Sequence, residues 1–344
     1  MKTGTRIRTI AAIVAAGVAG AVGLAAARDS SPAPSLPGEV MAAASGFAAY
    51  TQRAAQVSGR FSSGDGVVQS LRASAAYEPG QFQEGMIGYG ALAALRDARF
   101  VAAVRGLGKR DRDRQAWAQA LAANTGAVVG IDGADEAAAK IEAALRGRAE
   151  AISGAGQGVK VGAYQVQHQA WSKVTVSDPH GRLAEVKSLS SAPFTASPDD
   201  EASLFKAIDE ASAGPGQGGD GFPPLVVQSL ALAAEAILGA ARDQDLPRLR
   251  PLLSDFESVE CLRRSKLNLY QCMAVAGPQY EDVFCLGQHA LIETGECMAK
   301  AATPPPDAID RLLAAQSAPP LASPAPHARR YAANTRRAPK ANAN

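Results

Sequence analysis

Residues 261–297 read CLRRSKLNLYQCMAVAGPQYEDVFCLGQHALIETGEC and contain all four cysteines of the 344-residue chain. Two segments that we interpret as helices, 259–276 and 281–299, flank the sequence Gly-Pro-Gln-Tyr at 277–280. A glycine–proline pair is typical of a turn. We therefore predict that the folded part of the chain ends in an antiparallel helical hairpin that carries every cysteine.

The cysteine positions predict two nested disulfides across this hairpin. Residues that face each other in an antiparallel hairpin have numbers of constant sum, and the sums are 558 for Cys261 with Cys297 and 557 for Cys272 with Cys285. Helix axes about 8–10 Å apart place such residues within disulfide range. The step from Cys261 to Cys272 returns to the same helix face within about 20°, but the step from Cys285 to Cys297 overshoots by about 120°. We expect Thr294–Gly295 to end the second helix and correct this overshoot.

The hairpin resembles the twin C-x9-C helical hairpins of the mitochondrial intermembrane space, which are oxidised in the same nested pattern. The resemblance is confined to residues 259–299. The cysteine pairs here are separated by ten and 11 residues rather than nine, which indicates convergence on one type of crosslink. The resemblance implies neither a cofactor nor a partner.

A zinc site is the alternative use of these cysteines. Cys285 and His289 have the i, i+4 spacing that can share a metal ion on a helix, and Cys272 and Cys261 could supply further ligands. However, no C-x2-C pair is present, and an oxidising compartment opposes free thiolates. Disulfides are therefore favoured, and we predict no metal and no other cofactor.

The N-terminal segment has the three parts of a secretory signal peptide. Three basic residues occur among the first nine, an apolar stretch follows at 10–27, and it ends in Ala-Ala-Ala before Arg28. We predict a signal peptide at 1–27 that is cleaved after Ala27, with a retained anchor as the alternative. A Ser/Pro-rich linker follows at 28–37. The predicted location is periplasmic or secreted, where disulfides form and persist.

The composition favours helices over strands. Hydrophobic residues make up 47% of the chain, but aromatic residues only 5%. Strands draw on β-branched and aromatic residues, and alanine supplies much of the apolar share here. We predict an all-α fold with a helical body at 38–213, a Gly/Pro linker at 214–224 and a helical unit at 225–301 that contains the cysteine hairpin. The net charge of +2 gives no indication of nucleic-acid binding.

Glycines interrupt two of the predicted helices. Residues 81–107 have the apolar spacing of one long helix, in which Gly85, Gly88 and Gly90 would let another helix approach closely. Each glycine inside a helix costs up to about 1 kcal/mol, so we expect these three to serve packing. The glycines at 154–158 are expected to end a later helix.

Candidate catalytic residues are few. Glu84 is the one acid that we single out, because a lone glutamate on a helix suits the general acid of a peptidoglycan-cleaving transglycosylase. Tyr164, His168 and Trp171 could line a sugar site, but their helical spacing favours a face buried in the core. No H-E-x-x-H or G-x-S-x-G motif occurs, and the glycines at 214–219 lack the flanking strand of a dinucleotide motif.

The C-terminal segment 302–344 is a basic tail, rich in proline and alanine, that we predict to be disordered. It carries a net charge of +4. Its arginine pairs, Arg329 with Arg330 and Arg336 with Arg337, suit weak, salt-sensitive contact with an acidic glycan or phospholipid. A tail without any partner is the alternative interpretation.

These observations favour a non-enzymatic function. We predict an exported, helical protein that binds a partner in the cell envelope or acts there as a scaffold. The alternative is a peptidoglycan-cleaving hydrolase or lytic transglycosylase that uses an acidic residue, with Glu84 as the candidate. The sequence leaves open the identity of the partner and the oligomeric state.

Overall fold

The computed structural model describes residues 34–213 and 221–303. The predicted signal peptide at 1–27, most of the linker at 214–224 and nearly all of the basic tail lie outside these residues, as do the first six residues of the linker at 28–37. All four cysteines and Glu84 lie inside them.

The described residues form an all-α fold, as predicted, and contain no β-strand. None of their helices has the length and apolarity of a membrane span. The α-helices in chain order are α1 (Gly38–Ala55), α2 (Gly64–Ala75), α3 (Pro79–Ala94), α4 (Ala98–Leu107), α5 (Asp111–Ala123), α6 (Ala134–Val166), α7 (Pro179–Ser191), α8 (Pro198–Ala211), α9 (Pro224–Ile237), α10 (Leu246–Leu249), α11 (Phe256–Val275), α12 (Gln279–Cys285) and α13 (Glu293–Ala301).

Helix α3 lies in the core, in contact with α1 and α9. Its glycines allow this packing. A Cβ atom on Gly85 would lie 2.7 Å from Cβ of Phe47 in α1, and one on Gly90 would lie 2.6 Å from Oγ of Ser229 in α9. Gly88 packs against α1 in the same way. Since any larger side chain would collide at these positions, the predicted use of the glycines for helix packing is confirmed.

The predicted single helix over 81–107 is wrong, because the chain breaks between α3 and α4. Helix α3 ends at Ala94 and α4 begins at Ala98. At the break, the Asp97 carboxylate accepts a hydrogen bond of 2.9 Å from the backbone N–H of Phe100. An aspartate N-cap stabilises a helix start by about 1 kcal/mol, and apolar periodicity alone does not register this local preference.

Helix α6 continues without interruption through the glycines at 154–158, so the helix end predicted there is also wrong. These glycines include positions at which another stretch of backbone crosses α6. A Cβ atom on Gly156 would lie 2.8 Å from the backbone nitrogen of Ile292, and one on Gly162, further along α6, would lie 3.0 Å from Cα of Gly59. The resulting close packing offsets the low helix propensity of glycine.

The residues at 38–213 and those at 225–301 share one hydrophobic core. Helix α9, from the second range, packs on α3 and α6 of the first. Helix α13 packs along α6. The cysteine hairpin is therefore attached to the long helix α6 along its length, and α6 determines what lies beside the disulfides.

The cysteine hairpin has the predicted form and the predicted pairing. Helix α11 forms its first arm and α12 begins the antiparallel second arm. Cys261 is bonded to Cys297 and Cys272 to Cys285, with Cα–Cα distances of 5.6 and 5.7 Å. Two disulfides indicate folding in an oxidising compartment.

A π-helical segment, Leu286–Ile292, joins α12 to α13 and corrects the phase of the second arm. A π-helix has roughly 4.4 residues per turn instead of 3.6, so seven residues lag behind an α-helix by about 125°. This lag cancels the overshoot of about 120° between Cys285 and Cys297. Cys297 consequently faces Cys261 without any break in the helix.

The helix end predicted at Thr294–Gly295 is therefore wrong, and Gly295 has another role. A Cβ atom on Gly295 would lie 2.7 Å from the carbonyl oxygen of Ala149 in α6. One on Gly287, within the π-helical segment, would lie 2.8 Å from the backbone nitrogen of Lys160. Both glycines let the second arm of the hairpin approach α6 at backbone distance.

The zinc alternative is wrong, because the sulfur atoms of all four cysteines are bonded to one another in pairs. His289 lies in the π-helical segment, and its Nδ1 atom is 2.7 Å from Oε1 of Glu293. Its backbone carbonyl accepts a hydrogen bond of 2.7 Å from Ser265 of α11. His289 thus contributes to the contact between the two arms.

Candidate functional site

An open groove of about 390 Å³ lies beside the disulfide Cys272–Cys285, between the C-terminal end of α6 and the tip of the hairpin. We call it the inner-disulfide groove. Its wall on α6 includes Tyr164, and its wall on the hairpin includes Val275 at the end of α11 and Phe284 in α12. Tyr280 and the carboxylate-bearing Glu281 complete the same side. The groove is therefore mainly aromatic and apolar, with one acidic side chain.

Large apolar side chains are exposed at this groove. Val275 is 83% exposed and Tyr164 is 58% exposed. Val161 lies one turn before Tyr164 on the same face of α6 and is also exposed. Adjacent exposed apolar side chains with a concave surface between them are typical of a protein–protein or ligand contact.

The buried helix face expected for Tyr164, His168 and Trp171 is not observed. Tyr164 and His168 are exposed, and Trp171 is partly buried beyond the end of α6. Tyr164 lies on the side of α6 that faces outward, and His168 follows the end of α6 at Val166. Only Tyr164 of the three lines the groove.

A buried ion pair holds the tip of the hairpin in place. The Arg182 guanidinium of α7 donates a hydrogen bond to the Asp282 carboxylate of α12, and both side chains are more than nine-tenths buried. Arg182 also donates to the carbonyl oxygen of Met273 at 2.8 Å. That carbonyl lies in the last turn of α11, where no further turn of the helix can satisfy it. Burial raises the pKa of Asp282 to about 6, against the opposing effect of Arg182.

Backbone hydrogen bonds fix the turn between the two arms. The N–H of Val176 donates to the carbonyl of Gly277 at 3.0 Å, and the N–H of Gln279 donates to the carbonyl of Val174 at 3.2 Å. The N–H of Gly277 also donates to Oε2 of Glu281 at 2.8 Å. The turn is thus bound to residues 174–176, and the Glu281 side chain at the groove wall is bound to the turn.

Glu84 lies elsewhere, in α3, and does not line the inner-disulfide groove. Burial, and then the nearby Glu39 carboxylate, raise the pKa of Glu84, whereas Arg250 opposes this shift. Nη1 of Arg250 is 4.0 Å from Oε2 of Glu84 and 2.8 Å from Oε1 of Glu39. Oε1 of Glu84 is buried and has no hydrogen-bond partner among the described residues.

Lys266 is a buried amine that the sequence analysis did not identify. Its Nζ atom donates to the carbonyl of Ala75 at 2.6 Å and to Oγ of Ser190 at 3.3 Å, and it lies 3.3 Å from the ring centroid of Tyr77. Burial lowers the pKa of Lys266 well below its usual range. Since Lys266 is only 5% exposed and Ser190 is also buried, we assign this cluster to the core rather than to a reactive site.

The four tail arginines, Arg329, Arg330, Arg336 and Arg337, lie outside the described residues. Comparison of the chain with protein-family models, with curated proteins and with solved structures finds no match.

Proposed function

We propose that this protein is exported to the periplasm or secreted, and that it acts there as a non-enzymatic binding or scaffolding protein of the cell envelope. The two disulfides support an oxidising compartment. The basic and apolar segment at 1–27 supports export. The observation that carries the binding role is the inner-disulfide groove, with Val275 83% exposed at its edge.

The size and lining of the groove indicate how a partner would bind. A volume of about 390 Å³ accommodates a few side chains, and the aromatic walls suit an apolar or aromatic anchor residue. Complete burial of a valine side chain contributes about 1.5–3 kcal/mol, so Val275 alone would give a measurable share of the affinity. The tail arginines would add salt-sensitive contact with an acidic glycan or phospholipid of the envelope.

The substitution Val275→Glu should weaken partner binding at least about tenfold, because it places a charge where an apolar side chain would be covered. The full-length tagged protein is crosslinked in the intact envelope, purified, and compared with the variant for captured components. Leu267→Glu is the matched control, since Leu267 is another exposed apolar residue of α11 that does not line the groove. Equal capture by the wild type and Val275→Glu, or equal loss in both variants, would contradict binding at the groove.

A peptidoglycan-cleaving hydrolase is the second candidate function, supported by the raised pKa and the unpartnered carboxylate oxygen of Glu84. A general acid must be protonated at the working pH, and burial favours that form. Because Arg250 lies 4.0 Å from this carboxylate and opposes its protonation, we expect purified protein to release no muropeptides from sacculi. Release by the wild type that is absent from Glu84→Gln would establish the enzyme and replace our proposal.

A further inference from the structure

We infer that the inner-disulfide groove is occupied by the chain's own C-terminal segment Arg329-Arg330-Tyr331, which any envelope partner must displace. This inference rests on the proposed binding role of the groove and names its resident ligand. It follows from the chemistry of the groove, from the composition of the tail, and from the distance between the end of α13 and the groove.

The groove combines aromatic walls with a single acidic group. Tyr164, Tyr280 and Phe284 supply the aromatic surfaces, and Glu281 supplies the carboxylate. Such a site favours an aromatic side chain with a cation next to it, since the ring packs on the aromatic walls and the cation pairs with the carboxylate. Arginine can also stack on an aromatic face.

The tail contains one match to this pattern. Tyr331 is the single aromatic residue after Thr303, and Arg329 and Arg330 immediately precede it. The other large apolar residues of the tail form a group at 309–313 and a single Leu321, neither of which joins an aromatic ring to a pair of cations. Charge and shape therefore select the segment around Tyr331.

The length of the chain allows this contact. Cys285 at the groove precedes Ala301 at the end of α13 by 16 residues, or about 24 Å of helix. The 27 residues between Thr303 and Tyr331 can span up to about 90 Å when extended. A tether that reaches its site gives an effective concentration in the millimolar range, so a contact with a dissociation constant below about 1 mM would keep the groove mostly occupied.

Photo-crosslinking in the full-length protein tests this arrangement. Tyr331 is replaced by p-benzoylphenylalanine, which keeps an aromatic ring at this position, and crosslinked peptides are identified by mass spectrometry. We expect crosslinks within one chain to peptides that contain Tyr164, Val275 or Phe284. The yield should fall several-fold when Glu281→Gln is added, because this change removes the carboxylate that pairs with the arginines. The same photo-reactive residue at Ala341 is the matched control and should give few crosslinks to the groove.

The outcomes separate this inference from the proposed function. Crosslinks from position 331 to another surface, crosslinks between two chains, or equal yields from positions 331 and 341 would overturn the inference. Loss of partner capture in Val275→Glu together with no crosslink from position 331 would leave the proposed function standing. Crosslinks from position 331 together with unchanged partner capture would keep the occupancy of the groove by residues 329–331, but would remove the groove from the proposed function and overturn the displacement by a partner.

Discussion

Replacement of Cys261 and Cys297 by alanine is expected to lower the free energy of unfolding by about 4 kcal/mol, and replacement of Cys272 and Cys285 by about 3 kcal/mol. The two bridges span sequence separations of 36 and 13 residues. A crosslink stabilises mainly by restricting the unfolded chain, and a longer loop gives a larger effect. Urea unfolding under non-reducing conditions measures both values from the shift in the midpoint at constant slope.

A reducing agent provides the control for this series. It should destabilise the wild type and leave unchanged a variant in which all four cysteines are replaced. The effect of the outer bridge must also exceed that of the inner bridge, because the outer bridge closes the longer loop. Both bridges lie in one hairpin, so their surroundings are similar. Four free thiols in the mass of the unreduced protein, or a crosslink from Cys261 to Cys272, would show that the pairing is wrong.

The hairpin could be predicted because the residues that determine it lie close together in the sequence, at 261–297. Four cysteines around one glycine–proline turn allow a single nested pairing, and simple register arithmetic finds it. The spacing of Cys285 and Cys297 also shows that an α-helix would turn about 120° too far between them. It does not show that a π-helical segment corrects this rotation. The π-helical segment depends on contacts such as that of Gly287 with α6, and these join residues more than 100 positions apart.

The groove was not predictable, because spacing shows that residues share a helix face but not which face is buried. Tyr164 and His168 have the spacing of a core face, yet α6 buries its opposite side. The exposure of Val275 depends on where α11 ends relative to α6, and no pattern in the sequence reports that distance. Similarly, Lys266 resembles the neighbouring basic residues Arg263 and Arg264, although it alone is buried.

Substitution of Arg182 by methionine is expected to destabilise the protein by about 3–5 kcal/mol at pH 8, because it leaves the Asp282 carboxylate buried without its cation. It also removes the donor to the carbonyl of Met273 at the end of α11. Denaturant unfolding measures the loss. The matched control is Arg72→Met, which breaks the exposed pair with Glu185 and should cost less than about 1 kcal/mol.

The pH dependence of this loss distinguishes a buried charge from a simple packing defect. The pKa of Asp282 is already raised to about 6 in the folded protein, and removal of Arg182 raises it further. Below that pKa the folded state binds a proton that the unfolded state does not bind until about pH 4. The destabilisation by Arg182→Met should therefore decrease as the pH falls from 8 to 5. At pH 8, the same substitution should also cost less in a protein that already carries Asp282→Leu, by a similar amount. A loss that stays constant with pH and in the double variant would mean that Arg182 stabilises the hairpin tip only by filling space.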